Sequence, residues 1–180
     1  MTGLLRLLAP RYRIGAVYDL SPALLRGWRI EALMLDLDNT LVLWGQTTPP
    51  PAVRDWVLEL RRSRIPACVV SNNVSRRVRA AAASLELPFA VGRFKPSGAK
   101  LRHALTILGT APEQTAMVGD QLFTDVLAGN RLGVPTVLTM PLAPRESIRT
   151  RALRVAERLV LAVLARRGLV PGLTLPPNGH

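Results

Sequence analysis

The chain has 180 residues, 48% of them apolar, which suits one domain with a sizeable core. Its net charge is +12, from 24 basic against 12 acidic residues, and so it favours anionic partners: phosphorylated substrates, anionic lipid or nucleic acid. A single cysteine, Cys68, excludes an internal disulfide and fits a reducing cytoplasm. The longest uncharged apolar run near the C-terminus, residues 159–165, is far short of the roughly 20 a spanning helix needs, and the first ten residues, broken by Arg6, do not read as a secretory signal.

Residues 1–28 are rich in Leu and Arg, and Ser21-Pro22 predicts a short helix with serine as cap and proline at its first position. Residues 30–36 (IEALMLD) predict a buried strand. Pro49, Pro50 and Pro51 open a helix running to about Arg64, and residues 67–71 (ACVVS) form a second strand. A helix over 74–84, a short strand over 89–91 and a helix over 97–108 ended by Gly109 follow. Residues 114–119 (QTAMVG) give a fourth strand, 121–132 a helix stopped at Gly133, and 134–138 a fifth strand. A last helix covers about 146–167, and the tail 168–180, broken by Pro and Gly, is expected to trail off. Strands alternating with helices define an α/β chain with a mainly parallel five-stranded sheet covered on both faces. In such sheets ligands bind outside the carboxyl ends of the strands.

The polar residues lie at those ends. The first strand runs into Asp36-Leu37-Asp38-Asn39-Thr40, and carboxylates two residues apart leave an extended strand on the same side. They repel unless a cation compensates, and oxygen ligands of this kind suit magnesium. The fourth strand runs into Gly119-Asp120, with Asp125 five residues on. These acids could instead cap turns or a helix. Yet four of the chain's 12 acids fall in two strand-end clusters. Ser71 and Asn72 end the second strand before a helix, where a hydroxyl and free amides can hold phosphate. Lys95, before Pro96, is one of two lysines in a chain that otherwise uses Arg, and a compact ammonium suits a site of carboxylates and phosphate oxygens.

Taken in order, DxDxT, a strand-end Ser, a later Lys and GDxxxxD resemble the haloacid dehalogenase (HAD) superfamily of phosphatases. DLDNTLVLW, VSNN, KPSG and VGDQLFTDVLAGNRLG, with YDLSP near the N-terminus, are closer still to its YqeG-like branch. The resemblance implies a three-layer Rossmann-like fold and a set of roles. Asp36 would attack phosphorus and carry an aspartyl phosphate, and Asp38 would transfer protons and offer its carbonyl to the metal. Thr40 would brace the loop, Ser71 and Asn72 would hold the phosphoryl group, and Lys95 would neutralise it and orient Asp36. Asp120 would bind Mg2+, with Asp125 as a ligand or just behind one.

Relatives in this superfamily usually carry a cap domain inserted after the first or second motif. Here neither interval, 38–71 nor 73–95, holds another domain, so the expectation is no cap and an open site, suited to a phosphate displayed on something large. The chain divides into an N-terminal basic and apolar segment, 1–29, packing on the core or a membrane surface; a phosphatase core, 30–143; an amphipathic C-terminal helix, 144–168; and a flexible tail, 169–180. Residues 144–168 hold seven Arg, and their apolar stripe could rest on an anionic membrane or pack on the sheet. Arg61, Arg62, Arg64, Arg76, Arg77 and Arg79 read as solvated positions that could alternatively gather at the site. Cys68 reads as a small core residue, and Trp44 could line the site mouth.

The branch also resembles phosphatidylglycerophosphate phosphatases, which implies an anionic phospholipid substrate handled by a cytoplasmic enzyme with peripheral contact at the inner face of the membrane. A soluble phosphatase for a small metabolite, nucleotide or phosphoprotein is the alternative. The complete motif set argues against a nucleic-acid-binding protein without catalysis.

Overall fold

Strand β2 (Ala32–Leu35) runs through the middle of the molecule with all four residues buried. Its side chains alternate between two cores, as strand geometry requires. Leu33 and Leu35 enter the larger core, and Met34 enters the smaller one on the opposite face. A strand buried on both faces favours apolar side chains along its length, and the first polar residue after β2 is Asp36, just past its end.

The computed structural model describes residues 2–71, 75–90, 98–143 and 148–174. Its sheet contains β1 (Tyr12–Arg13), β2, β3 (Ala67–Val70), β4 (Phe89–Ala90), β5 (Thr115–Gly119) and β6 (Thr136–Leu138), in the order β1-β6-β5-β2-β3-β4 and parallel throughout. The chain steps outward from β2 to β3 and β4, then crosses back to place β5 on the other side of β2. The switch in direction lies between β2 and β5, where a crevice opens at the carboxyl ends.

Helices α2 (Pro22–Gly27), α3 (Pro51–Arg62) and α4 (Arg76–Ser84) cover the larger core with Leu25, with Val53, Trp56, Val57 and Leu60, and with Val78, Ala81 and Ala82. Each fully buried leucine contributes about 1.5–3 kcal/mol, so aliphatic side chains supply the stability that aromatics provide elsewhere. Helices α5 (Ala99–Leu108) and α6 (Leu127–Arg131) cover the smaller core through Leu101, Ala104 and Ala128. Helix α2 opens as expected: Ser21 accepts from the Leu24 amide at 3.2 Å, with Pro22 at the first position.

The N-terminal residues lean on the rest. The short helix α1 (Thr2–Leu7) is followed by carbonyls of Leu7 and Ala9 that accept from Asn130 Nδ2, each at 2.9 Å. Trp56 Nε1 donates to the buried Leu20 carbonyl at 2.7 Å. Tyr12 stacks on Trp28, with centroids 3.7 Å apart.

Two expectations are corrected. The sheet has six strands, not five, because Tyr12–Arg13 pairs with Val137 and Leu138; two residues are too few for a period-2 pattern to show. The tail does not simply trail off after 168. Thr174 bridges Ile14 and donates its amide to the Arg13 carbonyl at 2.8 Å, so the outer edge of β1 finds a backbone partner.

The last helix, α7 (Ile148–Arg166), is amphipathic in a divided way. Val160 and Leu161 pack on Leu122, Val126 and Leu138, and Leu164 is fully buried. Val155, Leu159 and Val163 form an outward stripe, exposed by 52%, 65% and 41%.

Candidate active site

The end of β2 is held by its neighbour: the Asp36 amide donates to the Val118 carbonyl at 2.9 Å. The chain then turns sharply. The amides of Leu41 and Val42 both return to the Leu37 carbonyl, at 2.9 and 3.1 Å, and Asn39 takes a left-handed conformation, φ 61°. Asparagine tolerates that region better than most residues, which fits its place in DLDNT.

Across the switch point, β5 ends in Gly119. A Cβ there would lie 2.2 Å from Asp125 Oδ2 and 2.7 Å from Asp125 Cβ, so a glycine is needed for the two segments to close on each other. The following residues, Leu122–Val126, form a π-helical turn in which the Leu127 amide reaches back to Leu122. The wider turn brings Asp125 back toward the strand end, where Oδ2 accepts from the Gln121 amide at 3.1 Å. A plain helix was expected from residue 121; the extra residue in the turn is the difference.

One ligand oxygen from each of Asp36, Asp120 and Asp125 lies within 4.8 Å of the others. Burial, then repulsion from Asp125, Asp120 and Asp38, holds the Asp36 carboxyl well above the usual carboxylate range. Burial first and Asp120 second push Asp125 up to about 8. A cluster in which burial and neighbouring acids push up both Asp36 and Asp125 gains stability from a cation. The set fits a hard divalent metal: three oxygen donors, two of them on buried residues, converge in a cradle that a Cβ at residue 119 would fill.

Asp38 points to a different partner. Arg77 of α4 donates to both of its oxygens, at 2.7 and 2.8 Å, and to the Gln46 carbonyl at 2.7 Å. Thr40 is buried beside it, and its hydroxyl has no hydrogen-bond partner among the described residues; the same holds for Thr139, just past β6. Ser71 is buried at the end of β3, and its carbonyl accepts from Lys100 Nζ. Asn72 and Lys95 lie outside the described residues.

Lys100 is 1% exposed, among the most deeply buried large side chains of the protein. Burial pulls its ammonium below the ordinary lysine range, while the Asp36 charge works in the opposite direction. From α7, Arg154 donates to both the carboxylate and the carbonyl of Asp120, and at 3.2 Å to Glu157. Glu157 also accepts from the Phe123 amide at 3.3 Å. Arg77, Lys100 and Arg154 are thus site residues that the motifs did not single out. One signal pointed to Lys100: it shares with Lys95 the distinction of being a lysine in an arginine-rich chain. Arg77 and Arg154 stand among many arginines and carry no local mark.

Three acids converge at the switch point of a six-stranded parallel sheet, and the chain belongs to a family of hydrolases: residues 29–133 match the haloacid dehalogenase-like hydrolases. Among its relatives is the Bacillus subtilis (strain 168) protein named "Probable phosphatase YqeG", 36% identical over 152 residues, which are 84% of this chain and 88% of that protein. The chain is a phosphatase of this YqeG-like branch. Phosphatidylglycerophosphate phosphatase 1, chloroplastic/mitochondrial, of Arabidopsis thaliana is 44% identical over 66 residues, 35% of this chain and 18% of that protein. Among solved structures, a Streptomyces avermitilis MA-4680 protein assigned to the HAD hydrolases superposes with a TM-score of 0.51 at 20% identity, over 72% of each chain, and shares the fold.

Proposed function

We propose that the protein is a magnesium-dependent phosphomonoesterase that works through an aspartyl-phosphate and removes the terminal phosphate of phosphatidylglycerophosphate at a membrane surface. The observation that carries the chemistry is the convergence of Asp36, Asp120 and Asp125 at the end of β2 and β5. The observation that supports the lipid is the 44% identity to the Arabidopsis thaliana phosphatase.

In this reading Asp36 is the nucleophile. Its carboxylate attacks phosphorus, the bond to the leaving oxygen breaks, and Asp38 delivers the proton to that oxygen. Asp38 then takes a proton from the water that cleaves the aspartyl phosphate, and inorganic phosphate leaves. Arg77 holds the Asp38 carboxylate in place between these steps. Thr40, Ser71 and Asn72 would bind the phosphoryl oxygens, and Lys95 would sit with them; Lys100 is the described ammonium acting on Asp36. Asp36, Asp120 and Asp125, with the Asp38 carbonyl, would hold Mg2+, which supplies charge neutralisation on the transferring group.

Two features favour a lipid over a small metabolite. No inserted domain stands over the crevice among the described residues; the 38–71 interval holds α3, and α4 with β4 follows Ser71. Two large apolar side chains near the site are exposed. Trp44, 52% exposed, and Met140, 60% exposed, sit on segments tied to Asn39 through the amides of Trp44 and Leu142. Tryptophan is the residue that favours the boundary between water and lipid. No described helix is long and apolar enough to cross a membrane, so contact would be peripheral.

Phosphate release is measured with Mg2+ from an aryl phosphate and from phosphatidylglycerophosphate in mixed micelles, with Asp36→Asn as control. Turnover of both, lost in the variant, is expected. Turnover of the aryl phosphate alone would assign the enzyme to soluble substrates.

A further inference from the structure

Arg154 lies 34 residues along the chain from Asp120 yet bonds both its carboxylate and its carbonyl. The Asp120 side chain is fully buried, and the Arg154 side chain is 16% exposed. Three residues further along α7, Glu157 receives Arg154 and takes the amide of Phe123, so the helix is fastened both at Asp120 and at the turn after it. The apolar seat beneath is small: Val160 and Leu161 on Leu122, Val126 and Leu138, with Leu164 buried beyond. A guanidinium in this position serves as the counter-charge of a carboxylate that also belongs to the three-acid cluster.

We propose that Arg154 competes with a divalent cation for Asp120, so that α7 acts as a gate whose seating opposes metal entry and whose release accompanies it. The proposal rests on the metal-dependent reading above. One guanidinium nitrogen holds Asp120 Oδ2, so a metal on the same buried carboxylate would be a second cation beside it, and the two repel each other in a low-dielectric setting. The coupling is reciprocal: whatever loosens α7 tightens metal binding, and metal loosens α7. Arg154 is therefore a positioning residue that acts through Asp120.

The test uses the full chain and the metals alone. Mg2+ and Mn2+ are titrated calorimetrically into the wild type, Arg154→Gln, and a Val160→Ala/Leu161→Ala variant that keeps Arg154 but weakens its seat. Amide exchange across 153–166 is followed with and without metal. Both variants are expected to bind metal about tenfold or more tightly than the wild type, and wild-type α7 amides are expected to lose protection on metal addition. A purely structural Arg154 would give the opposite sign. Equal or weaker binding in the folded variants, or α7 protection that stays or rises with metal, overturns the proposal. Should Arg154→Gln fail to fold, the Val160→Ala/Leu161→Ala variant decides alone. Absence of binding in all three folded proteins would instead overturn the metal reading itself, and this proposal with it; binding in the variants alone would support it.

Discussion

Arg77 grips Asp38 by both carboxylate oxygens, at 2.7 and 2.8 Å, from a helix 39 residues away in sequence. The pair is about a quarter exposed on each side, 23% and 25%, so it contributes at most about 1 kcal/mol to stability. Its effect belongs to geometry. Arg77→Met should lower kcat by about tenfold with a melting temperature within a few degrees of the wild type, and Arg77→Lys should recover only part, since an ammonium lacks the fork. Steady-state kinetics beside a thermal melt would check this; a large drop in melting temperature with kcat unchanged would contradict it.

Two glycines make a controlled comparison. In Gly119→Ala the new methyl group meets Asp125 at 2.2–2.7 Å, and one of the atoms met is Cβ, which cannot swing away. In Gly129→Ala it meets the Thr136 methyl at 2.5 Å, with Met117 and Val134 beyond and no carboxylate among its nearest atoms. Both should cost about 1–3 kcal/mol of stability through overpacking. Only Gly119→Ala should also lose metal affinity, which titration with Mn2+ would read.

Lys100→Met separates stability from catalysis. A buried ammonium is costly to desolvate, and methionine fills similar volume, so the variant should unfold within about 1 kcal/mol of the wild type, or be more stable. Asp36 would lose the positive charge that acts on it, and kcat should fall by about a hundredfold. Chemical denaturation and single-turnover kinetics measured together would decide; a parallel loss of both would make Lys100 a packing residue.

Cys68 supplies a pH dependence. Burial pushes its thiol from 9.0 up to about 11. The folded thiol then holds its proton where the unfolded one releases it, so Cys68 contributes a loss of stability as pH rises from 9 to 11 and none below 9. The loss reaches about 2–3 kcal/mol at the upper end. Denaturation of the wild type should steepen relative to Cys68→Ala across that window, and iodoacetamide should not label the folded wild type at pH 8.

What could be read from the sequence had local marks. Asp36 and Asp38 follow an apolar run that only a doubly buried strand explains, and Asp120 follows another. Those two facts place the crevice before any coordinate is known. Tyr12–Arg13 gave no sign because a two-residue edge strand has no periodicity, and its pairing depends on β6 more than 120 residues later. The π-helical turn over Leu122–Val126 differs from an α-helix by one residue of hydrogen-bond reach, which composition does not encode. Lys100 and Arg154 act on Ser71 and Asp120 across 29 and 34 residues, so the packing of α5 and α7 is what discloses their partners. Arg154 was hidden further by the chain's bias: among 22 arginines no single one stands out.

The acids that crowd the end of β2 and β5 sit in a molecule carrying +12 overall. Within about 10 Å of the surface, an approaching phosphate meets a positive body; within bonding range, a metal ion meets a concentrated well of carboxyl oxygens. Encounter and capture are thus governed by opposite fields. Added salt should slow the arrival of an anionic substrate by screening the outer one, while the buried well, out of reach of mobile ions, keeps its grip.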